Sequence, residues 1–289
     1  MSGRRNMKHR KLTRFVKDEE GIASTVGTIM TIMVFVLVLS FYTAYYVPAY
    51  MKDVESQHMV EVSNDFMTLK STVDLQVMKD DRSIVMYTPI KLGSDRIPVL
   101  TESTSGTISL NTEGSSIEVK SSDGKCSYKS SGNIVFSANN RYLAPQSFIY
   151  ECGAIIISQS EGEVVRVGLP IIAINKSNNV SMKLTLTSLA GINESVAGID
   201  VWSVRTTLLG REVYNYYWDA QATNVTINIT TGFSTAWERF FNNTLDEALG
   251  RGGGSYNITK GAKTVSINVP NIKELEVNYA VVTVKLGGT

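Results

Sequence analysis

The sequence predicts an α+β protein: a long N-terminal membrane and stalk helix followed by a mainly antiparallel β-sandwich-like head with one short helix inserted. Three observations lead there. Residues 21 to 51 contain no charged side chain. After them Met59, Val62, Phe66, Leu69 and Val73 recur at spacings of three and four, the mark of one helical face. From about Asp81 the apolar period changes to two and turn residues become frequent, as in a run of short strands.

The N-terminal segment sets the expected topology. Residues 1 to 20 hold seven basic side chains (Arg4, Arg5, Lys8, Arg10, Lys11, Arg14, Lys17) against three acidic ones (Asp18, Glu19, Glu20). Positive charge ahead of an apolar run keeps the N-terminus in the cytoplasm, so the remainder is expected to face outward. About 20 apolar residues cross a bilayer core, and this run is longer. A secretory signal would have a shorter apolar stretch and a small-residue cleavage site beyond it. Here the far end is aromatic instead (Tyr42, Tyr45, Tyr46, Tyr50), like an interfacial belt.

The junction Glu20-Gly21 and the following Ile22-Ala-Ser-Thr-Val-Gly-Thr-Ile-Met30 resemble the class III signal of archaeal type IV pilin-like proteins and archaellins. The likeness covers roughly residues 14 to 75. It implies that a prepilin peptidase removes the leader 1–21 between or near Gly21 and Ile22. It also implies that the helix 22–80 is kept, first in the membrane and then packed against copies of itself or other pilin-like subunits. Bacterial pilins usually carry Glu at the fifth mature position, where this chain has Val26; archaeal relatives commonly lack it. Ala23, Ser24 and Gly27 give a small-residue first turn that permits close helix approach. An uncleaved single-pass anchor is the competing reading.

Along the stalk the apolar stripe has two possible seats, the chain's own head or neighbouring stalks, and Pro48 is the expected place for a bend. Strands are expected at 83–87, 107–110, 116–120, 133–137, 154–158, 164–167, 180–186, 225–230, 264–269 and 277–286, within a head spanning 81–289. Leu169-Pro170 is the best candidate for a subdivision near 169–170. Thr235-Ala-Trp-Glu238 reads as a capping box opening a helix with Trp237, Phe240, Phe241, Leu245 and Leu249 on one side. The cluster Tyr214, Tyr216, Tyr217 and Trp218 suits strand packing, or else a sugar-stacking or adhesive surface.

Seven of the 28 basic and three of the 27 acidic residues fall in the first 20 positions, so the rest of the chain is mildly acidic. That leaves no basic patch for nucleic acid. The two cysteines, Cys126 and Cys152, are expected to form a disulfide in an external domain. Seven Asn-x-Ser/Thr sequons, at Asn175, Asn179, Asn193, Asn224, Asn228, Asn242 and Asn257, are candidate glycosylation sites. Both histidines, His9 and His58, precede the head. A head without histidine has no Ser-His-Asp, Cys-His or His-zinc chemistry. Only a carboxylate pair drawn from acids such as Glu151, Glu161, Glu163, Asp200 and Asp219 would make it a hydrolase. No cofactor or metal is expected, and the reading is a non-enzymatic surface protein, filament-forming or simply anchored.

Overall fold

The computed structural model describes residues 23–94, 98, 101–176, 179–218, 222–250 and 256–288. Contacts divide the chain into two units. One holds residues up to Asp53 with 98–101; the other holds 54–97 and 102–289, including both sides of Leu169-Pro170. A helix, α1 (Ala23–Lys79), is shared between them.

In the first unit α1 is long and apolar enough to cross a membrane. Its side chains from Val26 to Phe41 are exposed. Proline at position 48 has no N–H and its ring crowds the carbonyl four residues back, which here is Ala44. The helix absorbs this by widening into a π turn at Tyr42–Tyr46, where the Val47 amide reaches back five residues to the Tyr42 carbonyl. The bend expected at Pro48 is thus realised as a wider turn just before it.

The second unit contains thirteen strands among the described residues. They are β1 (Val85–Lys91), β2 (Gly106–Ser121), β3 (Ser127–Ala138), β4 (Gln146–Glu151), β5 (Ala154–Gln159) and β6 (Gly162–Val167). Then come β7 (Ile171–Lys176), β8 (Asn179–Ala190), β9 (Glu194–Gly198), β10 (Val201–Tyr217) and β11 (Thr223–Thr230). A helix, α2 (Ser234–Leu249), precedes β12 (Asn257–Lys260) and β13 (Thr264–Gly288). All belong to one sheet with the main path β1-β10-β13-β11-β2-β3-β4-β5-β6. Every pairing is antiparallel except β8 with β13.

Two apolar cores lie on this sheet. One gathers Met59, Val62, Phe66, Leu69, Val73 and Val77 of α1 with Ile90, Ile108, Phe136, Phe148, Tyr150 and Val282. The α1 stripe is therefore seated on the chain's own sheet. The other core gathers Trp237, Phe241 and Leu245 of α2 with Ile117, Ile149, Ile156, Ile227, Ile267 and Val277. Alternate residues of β4 serve different cores: Phe148 and Tyr150 one, Ile149 the other. That strand is buried on both faces, which explains why it lacks the apolar–polar alternation of a half-exposed strand.

Several expectations are corrected. Strands 107–110 and 116–120 are one strand, β2, whose register against β3 shifts between Asn111 and Ser116. Strands 264–269 and 277–286 are likewise one strand, β13. Pro270 falls at an irregularity there, with Asn271 at φ 58° and the β11 register broken at the same place, where a missing ladder donor is tolerated. The capping box of Thr235 and Glu238 does not form. Glu163 of β6 takes the Thr235 and Ala236 amides instead, at 2.8 and 3.1 Å, and Glu238 pairs with Lys260 at 2.7 Å.

Cys126 and Cys152 are both buried as free thiols, so the disulfide is not formed. Cys152 lies in the two-residue turn joining β4 to β5, with φ 48° at Cys152 and 89° at Gly153, as a type I′ hairpin requires. Its sulfur sits 4.0 Å from the Ser130 carbonyl. Ser130 is four residues along β3 from Cys126, about 13 Å at 3.3 Å per residue, whereas a disulfide needs Cα atoms within roughly 7 Å. Burial raises the Cys126 thiol to about 11 and the Cys152 thiol to about 12, so both stay protonated and unreactive at neutral pH.

Candidate functional site

The feature best suited to a function is the exposed part of α1. Of the residues expected at its processing site, Gly21 and Ile22 lie outside the described residues. Ala23, Ser24 and Gly27 are exposed, and a side chain on Gly27 would meet nothing within 4 Å. Four hydroxyls in this stretch are turned inward on the helix backbone. Thr28 donates to the Ser24 carbonyl, Thr31 to Gly27, Ser40 to Val36 and Thr43 to Leu39, at 2.7 to 3.0 Å. A hydroxyl satisfied by its own helix carries no unmet donor into a lipid or protein surround. At its end, tyrosines pair one turn apart: Tyr42 with Tyr46 at 5.3 Å and Tyr46 with Tyr50 at 6.0 Å between ring centroids.

The later part of α1 is fixed to the sheet by polar groups on the same stripe that carries the apolar residues. Glu55, four before Met59, is fully buried, and its carboxylate accepts from three successive amides, Arg141, Tyr142 and Leu143, at 2.9, 2.9 and 2.6 Å. Gln76, three beyond Val73, donates to the Ile84 and Thr206 carbonyls at 3.1 and 3.0 Å. His58 Nε2 lies 2.8 Å from the Lys91 carbonyl, and burial lowers its pKa. Asp65, facing the same strand end, is raised to about 6 by burial, against a hydrogen bond from the Lys91 backbone. The signal for Glu55 and Gln76 was present in the sequence: continuing the three-four spacing outward from Met59 and Val73 lands on both.

The other sequence candidates are scattered over the head. Asn175, Asn179, Asn193, Asn224 and Asn257 are exposed, while Asn228 and Asn242 are half-buried. Asn193 already accepts from the Thr112 amide and hydroxyl at 2.8 and 2.9 Å. In the aromatic cluster Trp218 is buried and donates to Asp123 at 2.6 Å, Tyr216 meets Tyr128 hydroxyl to hydroxyl at 2.5 Å, and Tyr217 faces solvent.

Of the acids considered, Glu161 and Glu163 line one surface cavity. Glu163 caps α2, and Asp219 lies outside the described residues. Glu151 is buried at the end of β4, where its Oε1 accepts from the Trp237 indole at 2.9 Å. Burial pushes this carboxyl up to about 7; the nearby Thr231 hydroxyl and the Trp237 bond work against the shift, and Glu163 adds to it. Among the described residues no group of three or more His, Cys, Asp or Glu side chains is placed to hold a metal ion. No protein-family model, curated protein or solved structure matches this chain.

Proposed function

We propose that the chain is a non-enzymatic, pilin-like surface protein: a subunit of an archaeal type IV pilus-like filament, with an adhesive or surface-interaction role. A prepilin peptidase trims the leader, the apolar part of α1 holds the subunit in the membrane with the head outside, and the same surface then packs against other subunits. In this reading the head is sandwich-like, with long strands such as β2 and β13 running from one core to the other, and exposed sequons carry glycans.

The observation that carries the proposal is the unburied apolar run. Twelve Val, Ile, Leu, Met and Phe side chains between Val26 and Phe41 are exposed. Burying such a side chain is worth about 1.5 kcal/mol or more, so even half that value leaves on the order of 10 kcal/mol unrealised in water. A membrane or a bundle of identical helices recovers it, and the inward-turned hydroxyls suit both surroundings.

Mapping the N-terminus of the membrane-extracted protein tests the first step, which requires a start within two residues of Ile22. Replacing Val34 with Asp tests the second. A carboxylate in mid-run costs about 2.5–3.5 kcal/mol on insertion, and a filament core repeats it in every subunit. Electron microscopy of native surface fractions is then expected to show filaments in the wild type and none in the variant. A wild-type protein found only as a dispersed monomer with residues 1–21 intact would replace the filament with a plain anchored adhesin.

A further inference from the structure

Four adjacent strands, β7, β8, β13 and β10, align two rows of side chains. Cross-strand register sets Ile172, Lys183, Glu276 and Asn215 opposite one another. The next row is Ile174, Ser181, Glu274 and Tyr217. Between the rows Ala173, Met182 and Leu275 are buried beneath the sheet, so by alternation both rows stand on its outer face.

These rows line a cleft of about 210 Å³. One wall is apolar, with Ile172 and Ile174 57% and 46% exposed; the facing wall is Tyr217, 64% exposed. Ile172 and Ile174 lie on β7, which pairs with β8, and Tyr217 ends β10 beyond its pairing with β1, so both walls stand at the borders of this four-strand surface and an aromatic face is left open. The floor is polar and already ordered. Lys183 Nζ lies 2.6 Å from Glu276 Oε1, and the Ser181 hydroxyl donates to Glu274 Oε2 at 2.9 Å. Asn215 adds an amide beside Glu276.

The chemistry of this set selects its ligand. An ammonium, an amide and a hydroxyl donate while two carboxylates accept, all within one or two strand spacings of about 4.8 Å. That density of alternating donors and acceptors suits a molecule edged with hydroxyls. The aromatic and aliphatic walls suit its C–H faces. Among the described residues that line the cleft the one cation, Lys183, is paired with Glu276, which favours a neutral ligand over an acidic one. The volume falls below the roughly 300–1,000 Å³ of a drug-sized pocket, which limits the occupant to about one ring. We infer that this cleft binds a neutral pyranose unit of a saccharide, with Tyr217 as the stacking platform and Glu274 and Asn215 as hydroxyl partners. The inference does not depend on filament assembly.

The test uses the full-length protein in phosphatidylcholine nanodiscs, free of sugar detergents. Methyl pyranosides of glucose, galactose, mannose and N-acetylglucosamine are titrated to tens of millimolar and followed by saturation-transfer NMR. At least one is expected to bind, with saturation strongest on ring C–H protons. Tyr217→Ala is expected to weaken it about tenfold, as loss of a stacked ring does, and Tyr217→Phe to retain it. Glu274→Gln is expected to weaken it as well. Thermal midpoints matching the wild type confirm that these exposed substitutions leave the fold intact. Binding of none of the four sugars, or wild-type binding by Tyr217→Ala, overturns the assignment. Filament loss by Val34→Asp is read separately and leaves this result standing.

Discussion

Replacing Glu151 with glutamine probes a carboxyl that the fold buries beside α2. The amide keeps an oxygen for the Trp237 indole and places an NH₂ where the protonated acid would carry its hydrogen. Burial holds the native carboxyl at about 7 against 4.5 for the free side chain. That gap of about 2.5 units, at 1.36 kcal/mol each, makes ionisation roughly 3 kcal/mol more costly in the folded state than in the unfolded one. Between those two values the native protein retains a proton that the unfolded chain has released. The stability that Glu151 contributes to the wild type therefore falls as pH rises from about 4.5 to 7 and levels off above that. Glutamine has no such proton. The variant's stability relative to the wild type is expected to improve by about 3 kcal/mol between pH 4.5 and 8, which for a domain of this size is about 6–12 °C in Tm. Thermal unfolding of both proteins, followed by circular dichroism at the two pH values, reads the change. Contributions from Asp65 and His58 are common to both proteins and cancel in the difference. An equal Tm offset at pH 4.5 and pH 8 would refute the reasoning, whatever its sign.

Two further outcomes follow from the buried polar groups and thiols. Denaturation without reductant is expected to let iodoacetamide label both Cys126 and Cys152, while the folded protein reacts with neither at pH 7; mass spectrometry showing an unlabelled pair after denaturation would restore the disulfide. Glu55→Ala is expected to destabilise the head by about 3 kcal/mol, the scale of losing charge-assisted hydrogen bonds, and to speed hydrogen exchange at the 141–143 amides above all others; unchanged exchange there would remove Glu55 from its role as an anchor.

What could be read in advance divides along physical lines. Periodicity exposed α1 and its stripe, because helical spacing is a property of neighbours in sequence. It exposed β11 for the same reason, since Val225, Ile227 and Ile229 alternate cleanly with polar residues. It missed β4, whose two faces are both buried, and β10, whose register against β13 shifts between Leu208 and Gly210. It gave 264–269 and 277–286 as two strands, and only the surrounding ladder shows that the stretch between them, with Pro270, is an irregularity within one strand. The amides gripping Glu55 lie 86 to 88 residues further along the chain, a distance no local pattern spans. The cleft at Tyr217 is less legible still, being assembled from four strands scattered between Ile172 and Glu276. The cysteine pairing failed because chain separation says nothing of where two sulfurs point.

Among the thirteen strands, β13 is the one that emerges last from a chain made N-terminus first, yet β8, β10, β11 and β12 all hydrogen-bond to it. Its partners are therefore complete before their common neighbour exists. β8 and β11 wait with one edge paired and the other open, and β8 and β10 depend on the late strand for most of their length. Closing those long loops must come before the pairings reward it, which places this head among slow folders of high contact order. Until β13 arrives, its partners present unpaired backbone and apolar side chains to anything nearby, which is the condition under which strands join the wrong neighbour. A short-lived escort that covers those edges would shield them until β13 pairs.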